Sequence, residues 1–365
     1  MLSPYFDITN NLLTYIARIE AAKSLIDHSP LVPAWDAKFR DEAMVRTVHY
    51  GTKIEGNDLT QEQTQQVVQL DGETNADSLT KKAGLVARER DIQEVINYRD
   101  VVKWIDNWQS YVKPERVFSV ETLKKLHSLS VRQMVEEKYV GNFRDKQVVV
   151  SSGTNQSIVF RPPVSVEIPF LLDDFFVWLN AEQTKQTIHP IFQAAITHYQ
   201  LVFIHPFIEG NGRTARAMAT LVLYAANYDF KRFFSLEQYF DSDVDAYYQA
   251  LLSVQQNAKR NLTYWLEYFC YGLAVEIEKI KDKVMKLSKD LKMKQELGQQ
   301  VALSERQIIL LELLQNQGEI TSGDAQNVLP NVSVDTILRD LKDLLEKGVV
   351  KKKGVTKGVT YALPN

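Results

Sequence analysis

The chain has 365 residues, of which 45% are hydrophobic and 24% charged, and its formal net charge is −3. This composition is typical of a globular protein with two or three domains, and the near-neutral charge excludes a global basic field for nucleic acid or anionic membranes. The single cysteine, Cys270, excludes a disulfide framework. It lies in an apolar aromatic run, which predicts a buried, inert thiol.

The N-terminal residues lack a basic segment followed by an apolar one, so we expect no signal peptide. No apolar run reaches about 18 residues, so we expect no membrane span. A cytoplasmic location follows as the default expectation.

Most of the chain shows the apolar spacing of helices, with hydrophobic residues three and four positions apart. Gly56 ends one such helix near the N-terminus, and Thr60 with Gln63 has the pattern of a capping box that opens the next. One stretch differs. From Gln147 to about Phe160, two β-branched runs flank a polar, glycine-containing turn, which predicts a β-hairpin. The expected fold class is therefore mainly α with one hairpin.

The C-terminal part predicts a separate unit. After Asn261 the pattern is that of a long helix whose later part is a charged connector. From about Leu303 three helices follow, the first capped by Ser304 and the third closed by Gly348. Two strands separated by a glycine-containing turn complete the unit. This order predicts a winged helix-turn-helix domain.

The stretch His205–Arg216 reads HPFIEGNGRTAR and stands directly before an apolar helix. Pro206 disfavours helical backbone at His205, so the preceding helix should end there. Gly210 and Gly212 permit a tight turn. A glycine loop that opens a helix presents free N–H groups and the positive end of the helix dipole, which together suit an anion.

The charged residues of this stretch add to the anion site. Arg213 and Arg216 lie three residues apart on one face of the first helical turn, and two arginines beside free N–H groups suit a polyphosphate. Glu209 offers an oxygen ligand of the kind that Mg²⁺ prefers. Asn211 both donates and accepts hydrogen bonds, and His205 is the group here that exchanges a proton near neutral pH.

The same stretch matches, position for position, the signature HPFx[DE]GNGRxxR of the Fic family. The resemblance extends over roughly residues 120–260: KYVGNFRDKQVVV and the hairpin after it look like the family's flap, and DAYYQALL looks like the segment that closes the adenine side of its pocket. The resemblance implies a mostly helical core that transfers AMP from ATP to a Ser, Thr or Tyr hydroxyl of a target protein, with Mg²⁺.

The resemblance also implies a role for each residue of the stretch. His205 would be the general base that deprotonates the target hydroxyl, and Glu209 would hold Mg²⁺ between the α- and β-phosphates. Arg213 would bind the β-phosphate and Arg216 the γ-phosphate. The α-phosphate would lie in an anion hole formed by Gly210, Asn211 and Gly212.

Other residues would hold the rest of the substrates. The hairpin, called the flap below, would hold the target chain in extended form by strand addition. The adenine would pack against Val150, Tyr247, Tyr248 and Leu251.

A second stretch, GTKIEGN at Gly51–Asn57, resembles the family's inhibitory motif [ST]xxxE[GN]. Glu55 would pair with Arg216, occupy the γ-phosphate site and leave ATP in an unproductive pose. The hydroxyl position of the motif falls on Gly51, with Thr52 one place late, which leaves open how this helix end is held. In some relatives the same glutamate orients a water that removes AMP from the target, which implies a reverse activity.

The predicted domains are a helical region with the inhibitory helix at 1–110, a catalytic core at 111–270, a helical connector at 271–300 and the winged helix at 301–365. From Leu303 onward the chain has eight Lys and Arg residues and eight Asp and Glu residues. Three aspartates, Asp335, Asp340 and Asp343, lie on the candidate recognition helix. A neutral domain is poorly suited to phosphate neutralisation, so the interpretation favours protein docking or dimer formation over DNA binding.

The leading hypothesis is therefore an autoinhibited protein adenylyltransferase. A second is transfer of another group, phosphate or UMP, through the same loop. A third is a nucleotide-sensing regulator that acts through the winged helix. A homodimer stays open as a partner arrangement, since exchange between two copies would move Glu55.

Overall fold

A computed structural model describes residues 2–31, 33–70, 72, 75–77, 87–114, 117–151, 158–296, 303–354 and 359–363. The chain forms two compact units, Met1–Met285 and Lys286–Asn365. The division falls inside the predicted connector because the long helix that begins at Thr263 stays packed on the first unit as far as the buried Val284.

Helices make up most of the described first unit. They are α1 (Asn10–His28), α2 (Pro33–Lys53), α3 (Gln61–Gln69), α4 (Glu89–Asp106), α5 (Val120–Val131), α6 (Ile168–Asn180), α7 (Glu182–Thr187), α8 (Pro190–Ile204), α9 (Asn211–Ala225), α10 (Leu236–Ser242), α11 (Val244–Gln256) and α12 (Thr263–Glu296).

The centre of this unit is the pair α8 and α9, which pack against each other over most of their length. Every residue of α8 from Ile191 to Tyr199 is buried, as expected of a helix with apolar residues on all sides. Helix α9 also packs on α4 and α5, and α2 packs on α4 and α10. Trp265 of α12 donates its indole N–H to the carbonyl of Ala195 at 2.8 Å. The loop between α8 and α9 therefore has a rigid base.

The flap is present as two short antiparallel strands, β1 (Val150–Ser151) and β2 (Ile158–Phe160). Its turn, at 152–157, lies outside the described residues. The predicted caps also occur: Thr60 and Gln63 form a capping box at the start of α3, and Gly56 has a φ of 93° just after α2. Cys270 is buried, and this burial raises the pKa of its thiol.

The second unit contains α13 (Glu305–Gln317), α14 (Ser322–Val328) and α15 (Val334–Glu346) around its own apolar core. The predicted caps are confirmed: Ser304 opens α13 with a capping box, and Gly348 follows α15 with a φ of 68°. The wing is one strand larger than predicted. The additional strand is β3 (Glu319–Ile320), which follows α13 after a turn at Gly318. In the sheet, β5 (Thr360–Ala362) lies between β4 (Lys351–Lys353) and β3.

None of the described helices is long and apolar enough to cross a membrane.

Candidate active site

The loop between α8 and α9 begins at His205, which ends α8 in the left-handed conformation with a φ of 50°. The buried Arg144 holds this residue in place. Its Nε donates to the His205 carbonyl at 2.8 Å, and another guanidinium N–H donates to the Pro163 carbonyl at 2.5 Å. The backbone N–H of Arg144 donates to the Pro206 carbonyl at 2.9 Å. One side chain thus ties the loop to the base of the flap.

His127 of α5 supports the other half of the loop. Its ring stacks on Phe207 with 3.7 Å between centroids and 3° between planes. The Gly141 N–H donates to Nδ1 at 3.0 Å, so Nε2 carries the proton and donates to the Glu209 carbonyl at 3.0 Å. Burial lowers the pKa of His127 to about 4, which keeps the ring neutral at physiological pH. This histidine is a structural brace.

The start of α9 has free backbone N–H groups of the kind that suit an anion. Gly210 has a φ of 78° and supplies the turn. Asn211 closes the loop, since its side-chain oxygen accepts from the Phe207 N–H at 3.0 Å and its amide donates to the Phe207 carbonyl at 2.9 Å. The first intrahelical bond runs from the Thr214 N–H to the Gly210 carbonyl at 3.0 Å. The N–H groups of residues 211–213 therefore face outward without helical acceptors.

The prediction that Gly212 also forms the turn is wrong, because Gly212 lies in the first turn of α9 with helical backbone. Its lack of a side chain has a different consequence. A Cβ atom at this position would lie 2.5 Å from Oε1 of Glu55 and 3.2 Å from a terminal nitrogen of Arg216. Gly212 thus provides space for a carboxylate directly over the helix N-terminus.

The side chain of His205 is arranged as a proton acceptor. Nδ1 lies 3.2 Å from the Val202 carbonyl, an acceptor, so Nδ1 carries the proton and Nε2 keeps its lone pair. Burial is the main cause that lowers the pKa of His205 to about 4, although the hydrogen bond to the Val202 carbonyl acts to raise this pKa. The imidazole is therefore neutral near pH 7, with the lone pair of Nε2 free.

Glu55 reaches this site from the end of α2. Its Oε1 accepts from Arg216 at 2.8 Å, and the same guanidinium nitrogen donates to the Gly51 carbonyl at 2.8 Å. Burial alone would raise the pKa of the Glu55 carboxyl, but the charges of Arg216 and Arg213 outweigh it and hold that pKa below its usual range. The carboxylate is thus ionised in the place where an anion would bind.

The departure at Gly51 from the family's hydroxyl position has a steric reason. A Cβ atom on Gly51 would lie 2.3 Å from the ring of Tyr98. The hydroxyl of Thr52 donates back to the Val48 carbonyl at 3.0 Å and does not support Glu55. Asn57 anchors the helix end instead, since its amide donates to the Asp91 carbonyl at 3.0 Å and to a Glu94 oxygen at 2.9 Å.

Arg213 is buried and already paired in this state. One terminal nitrogen donates to Glu94 at 2.9 Å and to the Ser130 carbonyl at 3.1 Å. Burial raises the pKa of the Glu94 carboxyl, and the charge of Arg213 opposes this. Nε of Arg213 and Nε of Arg216 are buried without a hydrogen-bond acceptor among the described residues. These two N–H groups, together with the backbone N–H groups of residues 211–213, are donors that a phosphate group could use.

Glu209, the expected Mg²⁺ ligand, carries an ion pair. Its Oε1 lies 2.5 Å from Arg90 of α4 and 3.6 Å from Arg213. Among the described residues, no cluster of three or more His, Cys, Asp or Glu side chains could hold a metal ion. A single half-exposed carboxylate beside a phosphate site fits Mg²⁺, which proteins often bind through one carboxylate and substrate phosphates.

The residues expected at the adenine lie on β1 and α11 in different surroundings. Tyr247 is buried, with its hydroxyl 2.9 Å from Nε2 of His198 and its ring stacked on Phe240. Leu251 is also buried, Val150 is half-buried, and Tyr248 is exposed beside Tyr247. Their role at the adenine stays a prediction.

The winged helix changes one argument made from sequence. Asp340 faces inward and pairs with Arg306 at 2.7 Å, and Asp343 pairs with Lys347 at 2.5 Å. Two of the three aspartates of α15 are therefore neutralised by partners in the same unit. The exposed residues of α15 include two cations, two anions and two apolar side chains: Arg339, Lys342, Asp335, Glu346, Val334 and Leu338.

The first unit thus combines a helical core, a hairpin and a glycine loop that opens a buried helix, with a histidine at the start of the loop. The model of the Fic/DOC family matches residues 117–223, and that of the DeoR-like helix-turn-helix domain matches residues 306–354. Residues 117–223 thus match the Fic/DOC family, as the resemblance of the His205–Arg216 stretch implied, and the match at residues 306–354 supports the predicted winged helix-turn-helix domain.

Curated relatives point the same way. The chain is 31% identical over 192 residues to the protein adenylyltransferase Fic of Drosophila grimshawi, which covers 52% of this chain and 35% of that protein. It is 30% identical over 217 residues to the protein of the same name in Drosophila erecta, covering 58% and 39%. The chain thus spans well under half the length of these relatives.

Solved structures share the fold. A Fic family protein from Desulfovibrio desulfuricans G20 matches with a TM-score of 0.65 at 22% identity, over 100% of this chain and 99% of that one. A Fic domain containing signaling protein from Bacteroides thetaiotaomicron VPI-5482 matches with a TM-score of 0.58 at 21% identity, over 77% and 98%. These likenesses confirm the mainly helical Fic-type fold.

Sequence reasoning missed several residues that shape the site, namely Arg90, Glu94, His127 and Arg144. Each reaches the loop or helix α9 from a distant part of the chain; the contact between Arg90 and Glu209, for example, spans 119 residues. Arg144 stands within the segment NFRD that resembles the flap region, which was the available signal. The other three lie in ordinary helices, where no local pattern marks them.

Proposed function

We propose that this protein is a protein adenylyltransferase that transfers AMP from ATP to a Ser, Thr or Tyr hydroxyl of a target protein and is inhibited by its own Glu55. The observation that carries the proposal is the joint arrangement of a neutral His205 and the outward-facing N–H groups of α9. The unused Nε donors of Arg213 and Arg216 support it, because they suit a triphosphate.

In the transfer step the target hydroxyl oxygen attacks the α-phosphorus, its proton passes to Nε2 of His205, and pyrophosphate leaves. The N–H groups at the start of α9 stabilise the charge on the α-phosphate oxygens. Arg216 and Arg213 orient the leaving phosphates. Glu209 would hold Mg²⁺, which neutralises phosphate charge when it is bound. The flap would present the target hydroxyl to His205.

Two ion pairs oppose this reaction in the state described. Glu55 pairs with the guanidinium of Arg216 and fills the space over Gly212, so its carboxylate would displace the terminal phosphate of ATP. Arg90 forms an ion pair with Glu209, so a metal ion must compete with the Arg90 guanidinium for this carboxylate. We infer that activation requires both carboxylates to change partners, and that the same Glu55 would be placed to orient a water for removal of AMP.

The test is incubation of the purified protein and its Glu55→Gly and His205→Ala variants with Mg²⁺ and ATP labelled at either the α- or the γ-phosphate. Adenylyl transfer predicts label from the α-phosphate alone, and none in the His205→Ala variant. Label from the γ-phosphate would favour phosphate transfer instead. Incorporation from α-labelled UTP but not ATP would favour transfer of UMP.

A further inference from the structure

A groove of about 440 Å³ lies beside the flap, between the end of β2, the end of α8 and α11. Its lining includes Pro163 and Phe203. The Pro163 carbonyl and the His205 carbonyl accept hydrogen bonds from the same guanidinium, that of Arg144, at 2.5 and 2.8 Å. Phe203 precedes His205 by two residues on α8. The groove therefore borders the catalytic loop on the side where the target chain would lie.

Two arginines line this groove without a carboxylate partner. Among the described residues, neither Arg161 nor Arg260 forms an ion pair. The guanidinium of Arg260 stacks over the ring of Phe203, 4.4 Å from its centroid. Stacking fixes the plane of a guanidinium and leaves the N–H groups at its edge free to bind a carboxylate.

The backbone around Arg260 is also held in an unusual shape. Arg260 has a φ of 49°, in the left-handed region, and its N–H donates to the Asn257 carbonyl at 2.9 Å. A residue with a side chain enters this region at a cost in free energy and stays there when its surroundings fix it. The structure thus holds this arginine in place at the groove.

The groove also contains an acceptor and little opposing charge. The side-chain oxygen of Gln255 is buried without a hydrogen-bond partner among the described residues. Glu167 is the acidic residue in the lining, against the two arginines. The groove therefore offers two guanidinium donors to an anion and one buried acceptor to an N–H group.

We propose that this groove binds an aspartate or glutamate side chain of the target protein, close in sequence to the hydroxyl that receives AMP. This inference rests on the proposed function and names the class of target segment that the site accepts. The carboxylate binds Arg161 and Arg260, and a main-chain N–H of the same segment donates to Gln255. Acidic residues near the hydroxyl thereby determine which segments are held against the flap.

The test is selection from a pool of ten-residue peptides that carry a central Ser, Thr or Tyr and random residues elsewhere. The full-length Glu55→Gly protein is immobilised, and retained peptides are sequenced by mass spectrometry. We expect Asp and Glu to be enriched about three- to fivefold near the hydroxyl, the effect of one charge-assisted contact near the surface. Arg161→Gln and Arg260→Gln should each remove the enrichment.

Lys259→Gln is the matched control, since it removes an exposed positive charge next to Arg260 but outside the groove, and it should keep the enrichment. Arg161 is exposed, so its replacement tests the proposal even if Arg260→Gln disturbs the fold. Two results would overturn the proposal. One is that peptides are retained without enrichment of Asp and Glu, and the other is that no peptide is retained above the level of a protein-free surface. Peptide retention does not require transfer of AMP from ATP. A failure of this binding test can therefore be distinguished from a failure of the labelling test of the proposed function.

Discussion

A Cβ atom on Gly212 would lie 2.5 Å from Oε1 of Glu55, so the Glu55 carboxylate fits over the start of α9 because residue 212 has no side chain. The glycine in the first turn of α9 and the glutamate that follows α2 are thus parts of one arrangement, although 157 positions separate them in the sequence. Under the proposed function, inhibition and phosphate binding would therefore use the same small volume.

This relationship predicts a specific coupling. In the first turn of a helix, Gly→Ala usually stabilises by up to about 1 kcal/mol. Gly212→Ala should instead lower the free energy of unfolding, because the new methyl group displaces Glu55. In the Glu55→Gly background the same change should be neutral or stabilising. Urea unfolding of the four proteins measures the cycle. Equal effects of Gly212→Ala in both backgrounds would contradict the contact.

The ion pair between Arg90 and Glu209 predicts an effect on metal binding. Arg90→Gln should free the Glu209 carboxylate and lower the Mg²⁺ concentration needed for half-maximal nucleotide binding by about threefold or more, the effect of a contact of under 1 kcal/mol. Calorimetric titration of ATP into the Glu55→Gly, His205→Ala protein at several Mg²⁺ concentrations measures this without turnover.

The control for that experiment is Arg88→Gln. Arg88 lies two residues earlier, and its guanidinium pairs with Asp58 and Asp91 rather than with the site. An unchanged Mg²⁺ requirement in Arg90→Gln, or an equal change in Arg88→Gln, would show that Arg90 does not compete with the metal.

How far the sequence predicts this site depends on the range of each contact. The loop that begins at His205, the start of α9 and the helix ends at Gly56 and Gly348 follow from local chemistry, because proline, glycine and capping residues act within one turn. The pairing of Glu55 with Arg216 was expected from a family resemblance and not from spacing.

The supports of the site could not be predicted because they depend on tertiary packing. Arg144 is one arginine among many until the fold brings it to the His205 carbonyl. Asn57 ends the stretch that resembles the inhibitory motif, but its bonds to Asp91 and Glu94 depend on how α2 and α4 cross. Two aspartates of α15 were counted as outward charges because periodicity alone did not show their partners.

The pKa of His205 predicts the acid side of the pH profile. Since burial lowers this pKa to about 4, the imidazole stays neutral as the pH falls from 8 to about 5, and the rate of AMP transfer should stay level over that range. Below it, protonation of Nε2 removes the base and the rate falls. Initial rates of the Glu55→Gly variant, with circular dichroism as a control for folding, measure this. A midpoint near 6.5 would contradict the assignment.

The exposed face of α15 predicts weak binding to DNA. Arg339 and Lys342 are balanced there by Asp335 and Glu346, so phosphate neutralisation gives little affinity even though Asp340 and Asp343 are paired with Arg306 and Lys347. At about 50 mM salt, the full-length protein should cause negligible retardation of random duplex DNA. Clear retardation that weakens with added salt would overturn the preference for protein docking.

The most direct test of the account compares AMP incorporation from α-labelled ATP in the unmodified protein, Glu55→Gly and Lys53→Ala. Lys53 is the matched control because it ends the same helix but pairs with Asp241 outside the site. Removing the Glu55 carboxylate should raise the initial rate on the order of tenfold or more, about 1.4 kcal/mol of barrier, and Lys53→Ala should leave it unchanged. An unchanged rate in Glu55→Gly, with α-labelled transfer present in both proteins, would contradict inhibition by the pairing of Glu55 with Arg216.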